Sequence, residues 1–297
     1  MSEIKTMRNR DMSKVAAKQS VTKPLMMVLT YGFLFLMALI VIFPFYWMII
    51  SSLKEMGEYR RSIPTLFPQK LDFLNYLEVF SNDDLLLGQL FTNTLFVGVV
   101  STVLSLVITI LSAFAFARLE FRGKNALFGF LLATMMIPGE LFTITNYRTV
   151  FEFGWLETYT VLIVPFLVSV FYIYLLRQNF MQIPNELYLA AKVDGCGDFK
   201  YLCKVMIPLA LPTIISITIL KMMGSWNSYM WPRLVANDDA HRLITNGLRT
   251  AFTNAEGVTD VPLQMAAVAV VSTPLFLVFV FLRKYIMKGV SRSGIKG

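Results

Sequence analysis

Six long apolar segments alternate with polar segments along this chain. They cover roughly residues 25–50, 89–116, 125–146, 158–176, 208–231 and 263–282, and the third is interrupted by Pro138-Gly139. A helix needs about 20 predominantly apolar residues to cross the hydrocarbon core of a bilayer, and each segment approaches or exceeds that length. The pattern predicts an all-α integral membrane protein in which residues 25–282 form one domain of six transmembrane helices.

The first apolar segment is too long for the core of a signal peptide, and no small-residue cleavage site follows it. We therefore expect an uncleaved first span after a polar, basic segment at residues 1–24.

Lys and Arg are distributed unevenly between the two sets of connecting segments. With the N-terminus inside, residues 1–24, 117–124, 177–207 and 283–297 contain 18 of the 27 Lys and Arg, the outer loops contain 8, and Lys221 lies in a span. Cytoplasmic loops are enriched in these residues. The distribution predicts that both termini, including a tail at residues 283–297, and the loop at 183–207 are cytoplasmic.

The composition supports a protein embedded in a lipid bilayer. Of the residues, 56% are hydrophobic and only 15% are charged, whereas soluble domains carry about 25% charged residues. The net charge of +8 is explained by the basic cytoplasmic loops, and no basic run interleaved with aromatic residues lies outside a span. We therefore expect no nucleic-acid partner.

Residue types that usually carry catalysis or metal binding are scarce. Cys196 and Cys203 are the only cysteines and His241 is the only histidine, which is too few for a Cys/His zinc site. In a cytoplasmic loop the cysteines are expected to be reduced thiols. The sequence contains no phosphate-binding glycine loop and no metalloprotease motif. We expect no catalytic residue, metal or cofactor in this chain.

The loop at 183–207 contains a short polar helix of about nine residues. Asn185 is a suitable N-cap, Glu186 follows in the first turn, and Gly195 can adopt the left-handed conformation that ends a helix. Leu187, Ala190, Ala191 and Asp194 follow helical spacing and are predicted to share one face. The residues alone leave two roles open: docking onto another protein, or covering the end of the bundle.

This loop resembles the EAA loop of ABC-importer membrane subunits. The pattern falls on Leu189-Ala190-Ala191, then Gly195, then Val205-Met206-Ile207-Pro208. Leu189 stands where the family usually has the Glu of the motif, and Glu186 matches another acidic position common in sugar permeases. Further likeness lies in Asn93-Thr94, Ala113–Arg118, Met136-Ile137-Pro138-Gly139, Trp226-Asn227, Trp231-Pro232 and Gly294-Ile295-Lys296-Gly297. In this order the motifs resemble the maltose-type (MalG-like) permeases of carbohydrate importers.

The resemblance implies the architecture of a type I ABC importer permease. It implies three protein partners: a second, nonidentical permease subunit, a dimer of ATPase subunits that binds the ATP and Mg, and an external sugar-binding protein. It also implies that the short helix sits in a cleft of the ATPase and transmits its closure to the spans. The coupling residues would then be Glu186, Ala190, Ala191, Asp194 and Gly195.

Four residues are candidates for the substrate pathway: Glu140, Lys221, Trp226 and Asn227. Lys221 and Glu140 lie about 13 and 15 residues into their spans, roughly 20 Å along a helix, and ionisable groups at such depth are costly unless they face partners or water. We hypothesise that they form a pair or both line the pathway. Alternatively, each faces a water-filled vestibule alone, or Lys221 pairs with the partner subunit.

Two roles are open for the rings of Trp226, Tyr229 and Trp231 near the fifth span. They would stack against sugar rings or, as we favour, anchor the helix at the membrane interface. Asn227 offers an amide that can hydrogen-bond sugar hydroxyls.

The outer loop at 233–262 carries the turn-forming sequences Asn237-Asp238-Asp239 and Asn254-Ala255-Glu256-Gly257. It is longer than a simple connection requires, so we favour contact with the external binding protein over a solvated connector.

Three function classes remain for comparison. The leading one is a nonenzymatic permease subunit of an ATP-driven carbohydrate importer, with a polyol or glycerol phosphate as alternative cargo. A self-sufficient secondary carrier would need its own ion-coupling site and no ATPase. A membrane-embedded enzyme ranks third, because no catalytic arrangement is present.

Overall fold

The structure is a computed structural model that describes the backbone of residues 2–81, 86–250, 252 and 259–291. Side chains are described for residues 26–81, 86–248, 252 and 259–281. The sequences Asn254-Ala255-Glu256-Gly257 and Gly294-Ile295-Lys296-Gly297 lie outside the described residues.

The regular elements in these ranges are helices. In chain order they are α1 (Ser2–Ser52), α2 (Met56–Tyr59), α3 (Leu74–Ser81), α4 (Leu87–Arg118), α5 (Lys124–Thr134), a 3₁₀ turn (Gly139–Phe142), α6 (Thr143–Glu152), α7 (Tyr159–Ile163), a 3₁₀ turn (Val164–Phe166), α8 (Val170–Met181), α9 (Asn185–Val193), α10 (Asp198–Tyr201), a π turn (Leu202–Met206), α11 (Ile207–Trp226), α12 (Met230–Val235), α13 (Ile244–Thr250) and α14 (Val261–Ser291).

Four of the described helical segments are long and apolar enough to cross a membrane: Met26–Ser52, Leu87–Arg118, Asp198–Trp226 and Val261–Phe281. Two bent pairs raise the number to six if each pair forms one span. The first pair, α5 and α6, bends by 82° at the predicted Pro138-Gly139 interruption, and the second, α7 and α8, bends by 45°. That second bend was not predicted. The break spans residues 167–169 and follows a 3₁₀ turn that contains Pro165, which cannot donate a backbone hydrogen bond.

The predicted domain boundaries are not breaks in secondary structure. Helix α1 begins at Ser2 and runs through residues 24 and 25, while α14 continues past residue 282 to Ser291. From residue 26 to residue 45 every side chain of α1 is exposed. A helix that is apolar and exposed over this length is suited to contact lipid.

Helix α4 lies at the centre of the bundle, where it packs against α8 and α11, and α14 packs against both α11 and α1. Small and hydroxyl-bearing residues line the buried side of α4: Gly98, Ser101, Thr102, Ser105 and Thr109. A Cβ atom at Gly98 would lie 2.9 Å from the side chain of Met222 on α11. Small residues therefore let these two spans approach closely, as is typical of helix packing in membranes.

The end of the bundle opposite α9 is covered by the segment that contains α12 and α13. Asn93 of α4 donates through its side-chain amide to the carbonyl oxygens of Ala240 and Arg242, at 2.8 and 3.1 Å. The Tyr159 hydroxyl donates to the amide oxygen of Asn93 at 2.8 Å. Up to residue 250, the predicted outer loop is therefore a folded cap held by side chains of α4 and α7.

Candidate functional site

The predicted short helix is present as α9, which spans the nine residues Asn185–Val193. Its N-cap is Pro184 and no side chain caps the first turn, so the prediction of Asn185 as N-cap is wrong by one position. The proline fits there because its fixed φ is compatible with a helix start and it has no N–H that needs a partner. Glu186 lies in the first turn, as predicted, and is exposed.

The end of α9 is fixed by backbone hydrogen bonds around Gly195, whose φ is +71°. The Gly195 N–H donates to the carbonyl of Lys192 at 3.0 Å, and the Cys196 N–H donates to that of Ala191 at 2.8 Å. This pair of bonds is a Schellman motif, which requires a left-handed residue that glycine adopts without steric cost. The predicted conformational role of Gly195 is confirmed.

Helix α9 has one face against the bundle and one face open. Tyr188 and Ala191, three residues apart, pack against the buried cluster around Tyr201, Leu202 and Met206. Leu187, Ala190 and Asp194 are exposed. The helical spacing of the four residues is as predicted, but Ala191 lies at the edge of this face nearest Tyr188 and is half-buried against the bundle.

The side chain of Asp198, the first residue of α10, contacts two residues of α9. Its carboxylate accepts a hydrogen bond from the Tyr188 hydroxyl at 2.7 Å and pairs with the Lys192 ammonium at 2.6 Å. The hydrogen bond to Asp198 raises the pKa of Lys192, and burial together with the Asp198 contact raises the pKa of Tyr188. The Tyr188 ring also lies 5.1 Å from that of Tyr201, centroid to centroid. These contacts connect α9 to α10.

The chain from α10 to α11 is a single helical segment with one π turn at Leu202–Met206. The turn ends just before Pro208, which has no N–H to donate to the carbonyl of Lys204 four residues earlier. A π turn accommodates such an interruption without ending the helix. The helical segment that follows α9 therefore runs without interruption from Asp198 to Trp226.

Two arginines join the ends of α4 and α8 and the short segment that leads to α9. The buried Arg118 guanidinium, at the end of α4, donates to the carbonyl oxygens of Phe180 and Ile183 at 3.0 and 2.5 Å. In return, Arg177 of α8 donates to the carbonyl oxygen of Phe116 at 3.1 Å. Each arginine thus satisfies carbonyl groups at the end of the other helix, which lack intrahelical partners.

A cavity of about 350 Å³, lined by both apolar and polar side chains, opens between α4, α7, α8, α11 and α12. Its polar side chains come from Ser101, Ser169, Tyr172, Lys221, Ser225 and Ser228. Sites for small molecules commonly measure about 300–1,000 Å³, so the cavity is large enough to hold part of a small ligand. It lies among the candidate spans and not at the face that carries α9.

The structure brings Lys221 to this cavity but does not bring Glu140 to Lys221. The Lys221 ammonium donates to the carbonyl oxygen of Phe166 at 2.6 Å and lines the cavity. Glu140 is exposed in the 3₁₀ turn at the sharp α5–α6 bend. Among the ion pairs of the described side chains there is none between these two residues. Because α5 and α6 meet at an 82° bend, counting residues along straight helices did not predict the position of Glu140 relative to Lys221.

A family model described as the inner membrane component of binding-protein-dependent transport systems matches residues 105–292. The chain belongs to this family. The matched range includes α9, with its coupling-loop likeness, and the α11 residues that line the cavity.

Named relatives and a solved structure agree with this membership. The arabinooligosaccharides transport system permease protein AraQ of Halalkalibacterium halodurans is 30% identical over 282 residues, which are 94% of this chain and 100% of that protein. The sn-glycerol-3-phosphate transport system permease protein UgpE of Rhizobium meliloti is 30% identical over 90% of this chain and 96% of its own length.

The solved structure is a bacterial ABC transporter involved in the import of the acidic polysaccharide alginate. One of its chains matches with a TM-score of 0.80 and 23% identity, over 89% of this chain and 97% of that chain. This likeness shows that the two chains share a fold.

Trp226 and Trp231 are both buried in this transport component, and Trp231 also lines the cavity. Trp226 is 4% exposed and its ring lies edge-on to that of Phe91, with 5.3 Å between centroids. Trp231 is also buried and donates its indole N–H to the Val161 carbonyl at 2.9 Å. Neither the sugar-stacking nor the interface-anchor interpretation describes Trp226, because α13 and α14 cover its side of the bundle.

Asn227 is exposed at the C-cap of α11, next to the cavity-lining Ser228. Sequence reasoning missed the serines of the cavity. Their only signal was the presence of hydroxyl groups in otherwise apolar spans, and this signal does not separate cavity-lining serines from packing ones such as Ser105.

Proposed function

We propose that this chain is one of two nonidentical permease subunits of an ATP-driven importer that receives carbohydrate from an external binding protein. The observation that carries the proposal is the two-sided arrangement of α9, with one face fixed to the bundle and the other exposed. A helix that only covered the bundle would present a polar outer face to water, whereas the outer side of α9 exposes the large apolar residues Leu187, Leu189 and Val193, as is typical of an interaction surface. A helix that receives force from a separate subunit needs both faces.

In this proposal each bent pair forms one span, so that six spans place both termini and α9 in the cytoplasm. The excess of Lys and Arg in the segments assigned to that side supports this orientation. The extreme bend of α5–α6 is compatible with a span whose middle lines an aqueous path, because irregular backbone is tolerated at membrane depth where it meets water or protein.

The proposed coupling residues divide into two groups. Glu186, Ala190 and Asp194 form the surface that meets the ATPase, and Ala191 and Gly195 fix the position of that surface. ATP and Mg are bound by the separate ATPase. Closure of the ATPase dimer would move α9 together with α11 through α10, and together with α4 and α8 through Arg118 and Arg177.

Carbohydrate is the cargo class that the chain's similarity to an arabinooligosaccharide permease supports. Hydroxyl groups from Ser101, Ser225 and Tyr172 in the cavity are suited to exchange hydrogen bonds with sugar hydroxyls. The folded cap that contains α12 and α13 would provide the contact with the binding protein. Similarity to a glycerol phosphate permease makes a polyol phosphate the second candidate cargo.

The test is reconstitution of the chain with its candidate partner permease, ATPase and binding protein in proteoliposomes. We expect uptake of labelled oligosaccharide that requires ATP and the binding protein and persists without an ion gradient. Uptake driven by a proton or sodium gradient in the absence of the ATPase would instead establish the secondary carrier. Copurification of the ATPase with this chain is an independent check.

A further inference from the structure

The cavity is lined by one lysine, Lys221, and by no carboxylate among its fifteen described residues. The remaining lining groups are neutral hydroxyls, apolar side chains and a glycine. A lysine at this depth is costly unless it meets a counter-charge or water.

The only described contact of the Lys221 ammonium is the 2.6 Å hydrogen bond to the Phe166 carbonyl. An ammonium group has three donors, so two remain for a ligand or for water. A carbonyl oxygen satisfies one donor but does not neutralise the charge. The position therefore favours a ligand that brings an anionic oxygen.

The surroundings of Lys221 also leave room for such a ligand. Gly224 and Ser225, one turn further along α11, line the same cavity, and a Cβ atom built at Gly224 would meet nothing within 4 Å. A ligand at this wall would have Lys221 at one side and the hydroxyl groups of Ser225 and Ser228 at the other. That combination matches a molecule that carries both an anionic group and several hydroxyls.

We propose that the cavity selects an anionic carbohydrate, with Lys221 as the residue that recognises its negative charge. The inference rests on the proposed function and narrows its substrate class. The shared chemistry is an anionic oxygen beside sugar or polyol hydroxyls, supplied either by the carboxylate of a uronate-containing oligosaccharide or by the phosphate of a polyol phosphate. A neutral oligosaccharide would leave the Lys221 charge unmatched.

Lys221 has a competing structural role, since it bonds a carbonyl at the break between α7 and α8. The variants Lys221→Gln and Lys221→Arg separate the two roles. Glutamine keeps a donor for the carbonyl but removes the charge, whereas arginine keeps both. A purely structural role predicts equal effects on all substrates, and charge recognition predicts an effect on anionic substrates only.

The experiment measures ATP-driven uptake by the complete reconstituted transporter. The probes are trigalacturonate, its uncharged methyl ester and sn-glycerol 3-phosphate, each at several concentrations. We expect the wild-type transporter to prefer one anionic probe over the ester. Lys221→Gln should reduce that preference by about 10- to 100-fold through a higher KM, as expected for loss of a charged hydrogen bond, and Lys221→Arg should restore most of it. The matched control Lys70→Gln, an exposed lysine far along the chain from the cavity residues, should keep the wild-type preference.

Each result has one consequence. A preference for trigalacturonate that Lys221→Gln abolishes identifies the anion as a carboxylate, and such a preference for glycerol phosphate identifies it as a phosphate; either supports the proposal. A preference that Lys221→Gln leaves unchanged overturns the proposal, because the selection then occurs outside the cavity. The proposal is also overturned if the ester is taken up as well as both anions, or if Lys221→Gln lowers uptake of ester and anion equally. Absence of ATP-dependent uptake of every probe, with uptake driven by an ion gradient instead, overturns the proposed function itself.

Discussion

Arg118 on α4 donates a hydrogen bond to the carbonyl oxygen of Phe180 on α8 at 3.0 Å, and the same guanidinium reaches Ile183, two residues before α9 begins. Arg177 of α8 donates a hydrogen bond to the carbonyl oxygen of Phe116 near the end of α4. Hydrogen bonds therefore join the ends of two central helices to the segment leading to α9. Force applied to α9 would reach the spans through these bonds and through α10.

Replacing Arg118 with Met should weaken this connection. Hydrogen bonds to charged groups contribute about 1.5–3 kcal/mol each, and the substitution leaves the carbonyls of Phe180 and Ile183 without their donor. We expect a lower melting temperature of the purified transporter and ATP hydrolysis that no longer responds to the binding protein. The control is Arg122→Met, which removes the same charge at an exposed site. Equal behaviour of the two variants in both assays would contradict the role of Arg118.

Gly195→Val should disrupt the end of α9. Glycine adopts the +71° φ at this position at no steric cost, whereas other residues lose about 1–2 kcal/mol there, and a β-branched residue is less tolerant still. We expect reduced ATPase association and reduced uptake, measured by copurification and by transport assay. Gly57→Val is the matched control, because Gly57 lies within α2, has no positive φ and has open space around it. Full activity of Gly195→Val would exclude a coupling role for this turn.

The sequence predicted the features that depend on local rules. The length of α9, its glycine-stabilised end and the break at Pro138-Gly139 follow from helix capping and from proline chemistry, which act within a few residues. The apolar runs located the helices that can cross a membrane. These rules do not depend on which other helix lies nearby.

The features that were missed depend on three-dimensional packing. Trp226 was predicted to be a pathway residue because it lies near the end of the fifth span. In the structure α13 and α14 cover its side chain. Glu140 and Lys221 were compared by depth in straight spans, and the α5–α6 bend separates them. The side of α9 that contacts the bundle is set by Tyr188 and its fit against Tyr201, which no local pattern specifies.

Acid should loosen the segment between α1 and α3. A hydrogen bond from the Thr65 hydroxyl, opposed by burial and aided by the Gln69 N–H and nearby cations, holds the pKa of Glu58 below its usual value of 4.5. A lowered folded-state pKa means that Glu58 stabilises the fold fully above about pH 4.5 and loses this contribution as the pH falls through the folded-state value. Hydrogen exchange of residues 53–73 should therefore accelerate, after correction for intrinsic rates, as the pH is lowered from 5 toward 3.

Glu58→Gln should remove most of this acid dependence, because the amide does not titrate. Glu78→Gln, at an exposed glutamate in α3, should leave it unchanged. An acid response that survives in Glu58→Gln would assign the titration to another group.

Leu189 provides the sharpest test of how α9 meets its partner. It occupies the position at which the resembled motif usually has a Glu, and in the structure it is 55% exposed, one turn from Val193, which is 88% exposed. Full burial of a leucine side chain contributes about 1.5–3 kcal/mol. If the ATPase cleft buries Leu189, then Leu189→Lys should weaken the affinity of the solubilised permease pair for the ATPase by about 10- to 100-fold. Leu77→Lys, at a 64% exposed leucine on α3, should have no such effect.

The variant Leu189→Glu distinguishes an apolar cleft from one that has kept a site for a carboxylate. In an apolar cleft the glutamate must be desolvated without a partner, so Leu189→Glu should weaken binding about as much as Leu189→Lys. A cleft with a retained cationic group would bind Leu189→Glu as tightly as the wild type or more tightly, and only Leu189→Lys would be defective. Because the open side of α9 pairs Leu189 with another large apolar residue, Val193, we expect the first result.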